Sequence, residues 1–166
     1  MPGEYSLTEV EVSLSPQERF EEFLQSRGKR NTPARKALVD HIFRQHDHFD
    51  ADELLASLAQ DSEAKASRAT VYRALEELVE AGLLRKMNLG GRFVYEHDYG
   101  YPQHDHLYCQ ECSKLIEFHS DELAELRQAV AKEHNFRVMG HRLIITGVCD
   151  ECSRKRHRQQ SPLDLI

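Results

Sequence analysis

SRATVYRALEELVEAGLLRKMNLGGRFVY, residues 67–95, decides the fold. Ser67 suits a helix N-cap, because its hydroxyl can accept from an early backbone N–H that has no partner inside the helix. Val71, Leu75, Leu78 and Val79 follow at the i, i+4, i+7 and i+8 positions, so a 3.6-residue period gathers them on one stripe. Gly82 then stops the helix in the left-handed conformation that a Cβ would disfavour. Two short runs, 83–88 and 93–95, flank Gly90-Gly91 and read as a β-hairpin. A helix that passes directly into a hairpin points to a winged helix.

Upstream, the same start signals recur. Ser15-Pro16-Gln17-Glu18 carries the residues of a capping box, with Phe20, Phe23 and Leu24 behind it. Thr32-Pro33 opens a second helix with the stripe Leu38, Val39, Ile42 and Phe43, and Asp50 with Glu53 opens a third carrying Leu54, Leu55 and Leu58. Downstream, Asp98-Tyr99-Gly100-Tyr101-Pro102 breaks any regular element. Beyond it, strands are expected at 106–109, 115–118, 136–138 and 142–148. A helix is expected over 120–134, with Leu123, Leu126 and Val130 on one face. The expected class is α+β, with an N-terminal winged helix-turn-helix domain and a smaller C-terminal α/β domain. The boundaries are a loose N-terminus at 1–14, the winged helix at 15–97, a hinge at 98–103, the second domain at 104–152 and a mobile basic tail at 153–166.

The chain has 166 residues and a formal net charge of −6, so attraction of the whole surface to nucleic acid is excluded. Any DNA binding needs segregated cations. Three windows without an acid meet that condition: Arg27, Lys29, Arg30, Arg35 and Lys36; Lys65, Arg68 and Arg73; and Arg85, Lys86 and Arg92. They fall on the second-helix entry, the start of the fourth helix and the wing, where a winged helix meets a duplex. Thr70, Tyr72 and Arg73 lie off the apolar stripe and face outward. Arg73 suits guanine or phosphate, and Tyr72 can press on a thymine methyl. With no apolar run long enough for a bilayer and no leader-like start, a cytoplasmic protein is expected.

Reduced thiols in that compartment read as metal ligands. Cys109-Gln110-Glu111-Cys112 and Cys149-Asp150-Glu151-Cys152 are two CxxC pairs, which together make the closed four-sulfur shell of a structural zinc. A second constellation is harder: His104-Asp105-His106, with His48, Glu96, Glu117 and His141 elsewhere in the chain. Imidazole mixed with carboxylate accommodates Fe(II), Mn(II) or Zn(II). In a strand His104 and His106 share one face while Asp105 points to the other.

Residues 67–75, 104–112 and 147–152, in that order, resemble the ferric uptake regulator family of metal-dependent bacterial repressors. The resemblance runs from about Ser15 to Cys152. It implies a homodimer built through the C-terminal domain that binds double-stranded DNA at an inverted-repeat operator. Pairing of dimers into tetramers is left open. It also implies a structural zinc on Cys109, Cys112, Cys149 and Cys152, a regulatory Fe(II) or Mn(II) on His48, Glu96, His104, His106 and Glu117, and DNA contact by Arg30, Tyr72 and Arg73. A further metal site would use Asp105 and His141, although two of its usual positions hold Gln103 and Ala124. Glutamate at both 96 and 117 resembles the iron-sensing branch rather than the peroxide- or zinc-sensing ones. An enzyme with an open catalytic metal, or a zinc-stabilised adaptor for proteins, would leave the hinge placement or the basic windows unexplained.

Overall fold

The computed structural model describes residues 12–44, 47–61 and 65–159. The expected loose N-terminus lies outside these up to residue 11, as does the tail from 160. The fold is α+β, and two units divide between Pro102 and Gln103.

The first unit carries α1 (Pro16–Ser26), α2 (Pro33–Phe43), α3 (Ala51–Leu58), α4 (Arg68–Glu80), β1 (Leu84–Leu89) and β2 (Arg92–His97). Each helix begins on a side-chain cap. Ser15 and Asp50 form full capping boxes with Glu18 and Glu53, while Thr32 and Ser67 accept from the third helical N–H. Gly82 ends α4 at φ 71°, as its position after the stripe requires. The apolar stripes close on one core: Phe20 and Leu24 from α1, Leu38, Val39 and Ile42 from α2, Leu54 and Leu58 from α3, and Val71, Leu75 and Leu78 from α4. β1 and β2 pair antiparallel from Leu84↔His97 to Leu89↔Arg92. This is a winged helix. An isolated bridge, Phe49↔Tyr95, then ties the segment before α3 to the wing.

The second unit carries β3 (Asp105–Cys109), β4 (Leu115–Phe118), α5 (Asp121–Glu133), β5 (Ile144–Gly147) and α6 (Asp150–Gln159). Its sheet has the order β4-β3-β5, with β3–β4 antiparallel and β3–β5 parallel. A parallel pair needs a crossover, which α5 provides. Leu107 stands in register with Ile116 on one side and Ile145 on the other, and all three remain 38–45% exposed.

Three expectations for this unit are corrected. The segment 136–138 is not a strand: Asn135 takes a positive φ of 50° and the Phe136 N–H donates to the Ala131 carbonyl at 2.8 Å, so these residues close the end of α5 and have no ladder partner. The tail is helical as far as Gln159. Asp150 and Glu151 sit in the favourable first turn of α6 and pair with Arg154 at 2.7 Å and Lys155 at 3.1 Å, one turn on. On α5, Leu126 and Val130 point outward, and the buried residue is Ala131, on the same stripe as Ala124 and Arg127.

Candidate metal centres and nucleic-acid interface

The cysteines converge because three element ends do. Cys109 ends β3, Cys112 follows in the turn to β4 where Ser113 takes φ 60°, Cys149 follows β5, and Cys152 lies in the first turn of α6. The four Sγ atoms all lie within 4.8 Å of one another, and Cys112 and Cys149 are 3.8 Å apart. A tetrahedron with zinc–sulfur bonds of about 2.3 Å has an edge of about 3.8 Å, so the residues fit a zinc shell. The Cys149 backbone N–H donates to Cys109 Sγ at 3.3 Å. That bond and the Cys112 N–H pull the Cys109 thiol down to about 6, which favours the thiolate a metal needs. Hydrogen bonding with the Cys112 and Cys149 thiols, with burial after it, pushes Cys152 up to about 12. Four thiolates at such distances repel one another unless a cation lies among them.

The imidazole and carboxylate donors form one group in each unit. In the first, the Phe49↔Tyr95 bridge sets the neighbouring residues opposite each other, and His48 Nε2 lies 3.1 Å from Glu96 Oε2. Glu96 is only 4% exposed, and its other oxygen lies 3.5 Å from Arg85 NH1. In the second, His106 stands in register with Glu117 across β3–β4. His104 Nε2 is 3.8 Å from Glu117 Oε1, and the two imidazoles meet edge-on with centroids 4.8 Å apart. His104 and His106 are both buried, where imidazoles require partners. The donor types in both groups suit a divalent cation of the iron–manganese–zinc series.

Asp105 and His141 also meet, with Oδ1 and Nε2 2.9 Å apart. Among the described residues no third histidine, cysteine or carboxylate joins them in a metal-sized group. Arg127, which sequence reasoning passed over, lies against the imidazole instead. The signal that could have found it is its place on the inward stripe of α5 between Ala124 and Ala131, where an arginine must find a partner.

The basic windows are divided by ion pairs from other elements. Glu77, on the buried side of α4, takes Lys29 Nζ at 2.7 Å and Arg35 NH2 at 3.2 Å. Arg27 pairs with Glu80 at 3.4 Å and Lys36 with Glu21 at 3.5 Å. Arg68 binds Asp52, Arg85 binds Asp98, and Arg92 reaches Asp50 at 2.5 Å and Glu53 at 2.7 Å. Lys86 instead rests 4.1 Å above the ring of Phe93, which is exposed on the wing. Among the described residues Arg30, Lys65 and Arg73 are left with no acid partner, and all three are exposed. Tyr72 is 41% exposed under the Arg68 guanidinium, whereas Thr70 is half-buried with its hydroxyl 2.9 Å from Ser67 Oγ. The early turns of α4 therefore present an exposed Tyr72 ring and an Arg73 without an acid partner.

The ferric uptake regulator family model matches residues 26–146. A ferric uptake regulation protein of Neisseria gonorrhoeae is 33% identical over 138 residues, 81% of this chain and 94% of its own length. A peroxide operon regulator of Bacillus subtilis is 35% identical over 139 residues, 82% of this chain and 92% of its own. Among solved structures, the ferric uptake regulator of Helicobacter pylori, described as having three functional metal-binding sites, superposes with a TM-score of 0.76 at 25% identity. It covers 89% of this chain and 97% of its own. The chain belongs to the ferric uptake regulator family of metal-responsive transcriptional regulators.

Proposed function

We propose that this chain is an iron-responsive repressor in which one Fe(II) or Mn(II) is held jointly by His48 and Glu96 of the first unit and His104, His106 and Glu117 of the second. The observation that carries the reading is the pair of buried, chemically matched donor groups, one on each side of the division at 102/103. A bound dication supplies positive charge that favours bringing these carboxylates and imidazoles together. Glu96, already held by His48 and Arg85, serves as the fixed anchor on the first unit. His104, just before β3, and His106, on it, serve as the anchor on the second, with Glu117 reaching in from β4. Their joint engagement narrows the range of placements open to the winged helix. Zinc on the four cysteines keeps the second unit folded.

The same reading assigns a homodimer. Leu107, Ile116 and Ile145 form an exposed apolar row across one sheet, which a second copy of the chain would cover. Two winged helices in a two-fold dimer match an inverted-repeat operator with recognition helices about 34 Å apart. On each, Arg73 and Tyr72 read the major groove, Thr70 orders the first turn of α4, and Arg30 reaches phosphate. The reading places the protein in the cytoplasm, with its DNA, and gives it no enzymatic role. Among the described residues no helix is long and apolar enough to cross a membrane.

The test is an anaerobic mobility shift on inverted-repeat and scrambled DNA, with and without Fe(II) or Mn(II). Metal is expected to tighten inverted-repeat binding at least tenfold in the natural chain and to have no effect in His104→Ala/His106→Ala. Unchanged metal dependence in that variant would overturn the assignment. A second reading, a peroxide response, is favoured by the 35% identity to the Bacillus regulator. It requires that hydrogen peroxide abolish binding of the iron-loaded but not the manganese-loaded protein.

A further inference from the structure

Arg127 lies with NH1 2.7 Å from Nδ1 and 3.0 Å from Nε2 of His141. His141 Nε2 lies 2.9 Å from Asp105 Oδ1, and Nδ1 lies 2.9 Å from the Gln103 amide oxygen Oε1. Both ring nitrogens are therefore engaged. A single guanidinium nitrogen within 3.0 Å of both ring nitrogens packs against the imidazole ring itself. Asp105 is buried, so its negative charge needs a nearby cation, and His141 links it to one.

A metal at this place would need the imidazole lone pair and the carboxylate turned toward one vacant point. Here a guanidinium, a cation with only N–H donors, packs within 3.0 Å of both ring nitrogens, so a dication on this imidazole would meet a like charge. The remaining positions give a metal little. Residue 103 is an amide, and residue 124, nearly one turn before Arg127 on α5, is alanine with no donor. The residues at Asp105 and His141 thus do not fit the additional metal site that the family resemblance implies.

We propose that Arg127 is the resident cation of this cluster: its guanidinium packs on the imidazole that a metal would need, and the Asp105–His141 site takes no metal in this chain. The cluster joins α5, the segment before β5 and the first residue of β3 at all times. Because Asp105 lies between His104 and His106, the strand bearing those imidazoles is anchored without a second ion. On the regulatory reading above, one exchangeable cation per chain would then carry the metal response. This inference goes beyond the regulatory reading and stands without it.

The experiment counts exchangeable Mn(II) bound to the zinc-loaded full chain, by equilibrium dialysis with detection of free Mn(II) by electron paramagnetic resonance. The natural chain and His141→Ala are expected to bind the same number of ions, with dissociation constants within about twofold. Loss from His141→Ala of an ion that the natural chain holds would overturn the proposal. If that variant does not fold, Mn(II)-soaked crystals of the natural chain answer the same question by anomalous scattering. Arg127 in place with no peak at His141 supports the proposal, whereas a peak bonded to His141 with Arg127 displaced contradicts it. His104→Ala/His106→Ala separates the two readings. Failure to lose an ion there, with His141→Ala also unchanged, removes the regulatory site and leaves this inference intact.

Discussion

The two units are stabilised by different means. The first buries sixteen apolar residues in one cluster drawn from four helices and the wing. In the second, the buried apolar residues among those described are Cys109 and Ala131, while Leu107, Ile116, Leu126, Val130, Phe136, Met139, Ile145 and Val148 stay exposed. Surface area outweighs buried volume in so small a domain, and such domains recover stability from metals or from oligomerisation. The second unit has the means for both, in four converging thiols and an apolar sheet face. The lesson is a division of labour: hydrophobic burial makes the DNA-reading part, and ligands with a second copy make the sensing part.

The largest effect that would break this contrast is loss of zinc. Structural zinc contributes about 10–16 kcal/mol of apparent binding energy in small metal domains, far more than this unit's own core can supply. Cys109→Ser is expected to abolish zinc binding and dimerisation and to erase one of two calorimetric transitions, leaving the winged helix to melt as before. A single unchanged transition and an intact dimer would mean that the second unit folds without its thiolates. In the opposite direction, Leu75→Ala removes a fully buried side chain of α4 and should lower the stability of the first unit by about 2–5 kcal/mol. Zinc content should not change. A coupled loss of zinc would show that the units do not stabilise independently.

A smaller effect sharpens the comparison within the first unit, between cations spent on structure and cations free for DNA. Arg35→Ala leaves buried Glu77 with Lys29 alone and should cost about 1–3 kcal/mol of stability, read from the denaturant midpoint. Arg73→Ala should leave that midpoint where it is and weaken operator binding by about 1–3 kcal/mol, roughly fivefold to 150-fold. If the two variants exchange phenotypes, the assignment of the two arginines is reversed.

Most of the fold was legible because its signals are local. Caps such as Ser15–Glu18 and Asp50–Glu53, the stripe on α4 and the Gly90-Gly91 turn depend on near neighbours in the chain, and helix and hairpin form where they stand. The four cysteines were legible for the same reason: a CxxC turn carries its own geometry. What could not be read is settled across elements. Every basic window was free of acids in sequence, yet Glu77, Asp50, Glu53 and Asp98 arrive from elsewhere in the fold and neutralise much of that charge. Phe136 and Val138 flank Arg137 in the alternation of a strand but find no strand partner, so residues 136–138 finish α5 instead. Residues 153–159 look solvated and irregular until the pairs to Asp150 and Glu151 are counted. Arg127 was invisible because its meaning depends on His141, fourteen residues away.

The central claim is that metal and operator favour the same placement of the two units, and thermodynamic reciprocity tests it most directly. The Mn(II) dissociation constant should be measured by titration with and without saturating inverted-repeat DNA, on zinc-loaded protein. The account predicts that DNA tightens Mn(II) binding by the same factor by which Mn(II) tightens DNA binding, at least tenfold. An Mn(II) affinity indifferent to operator would contradict it.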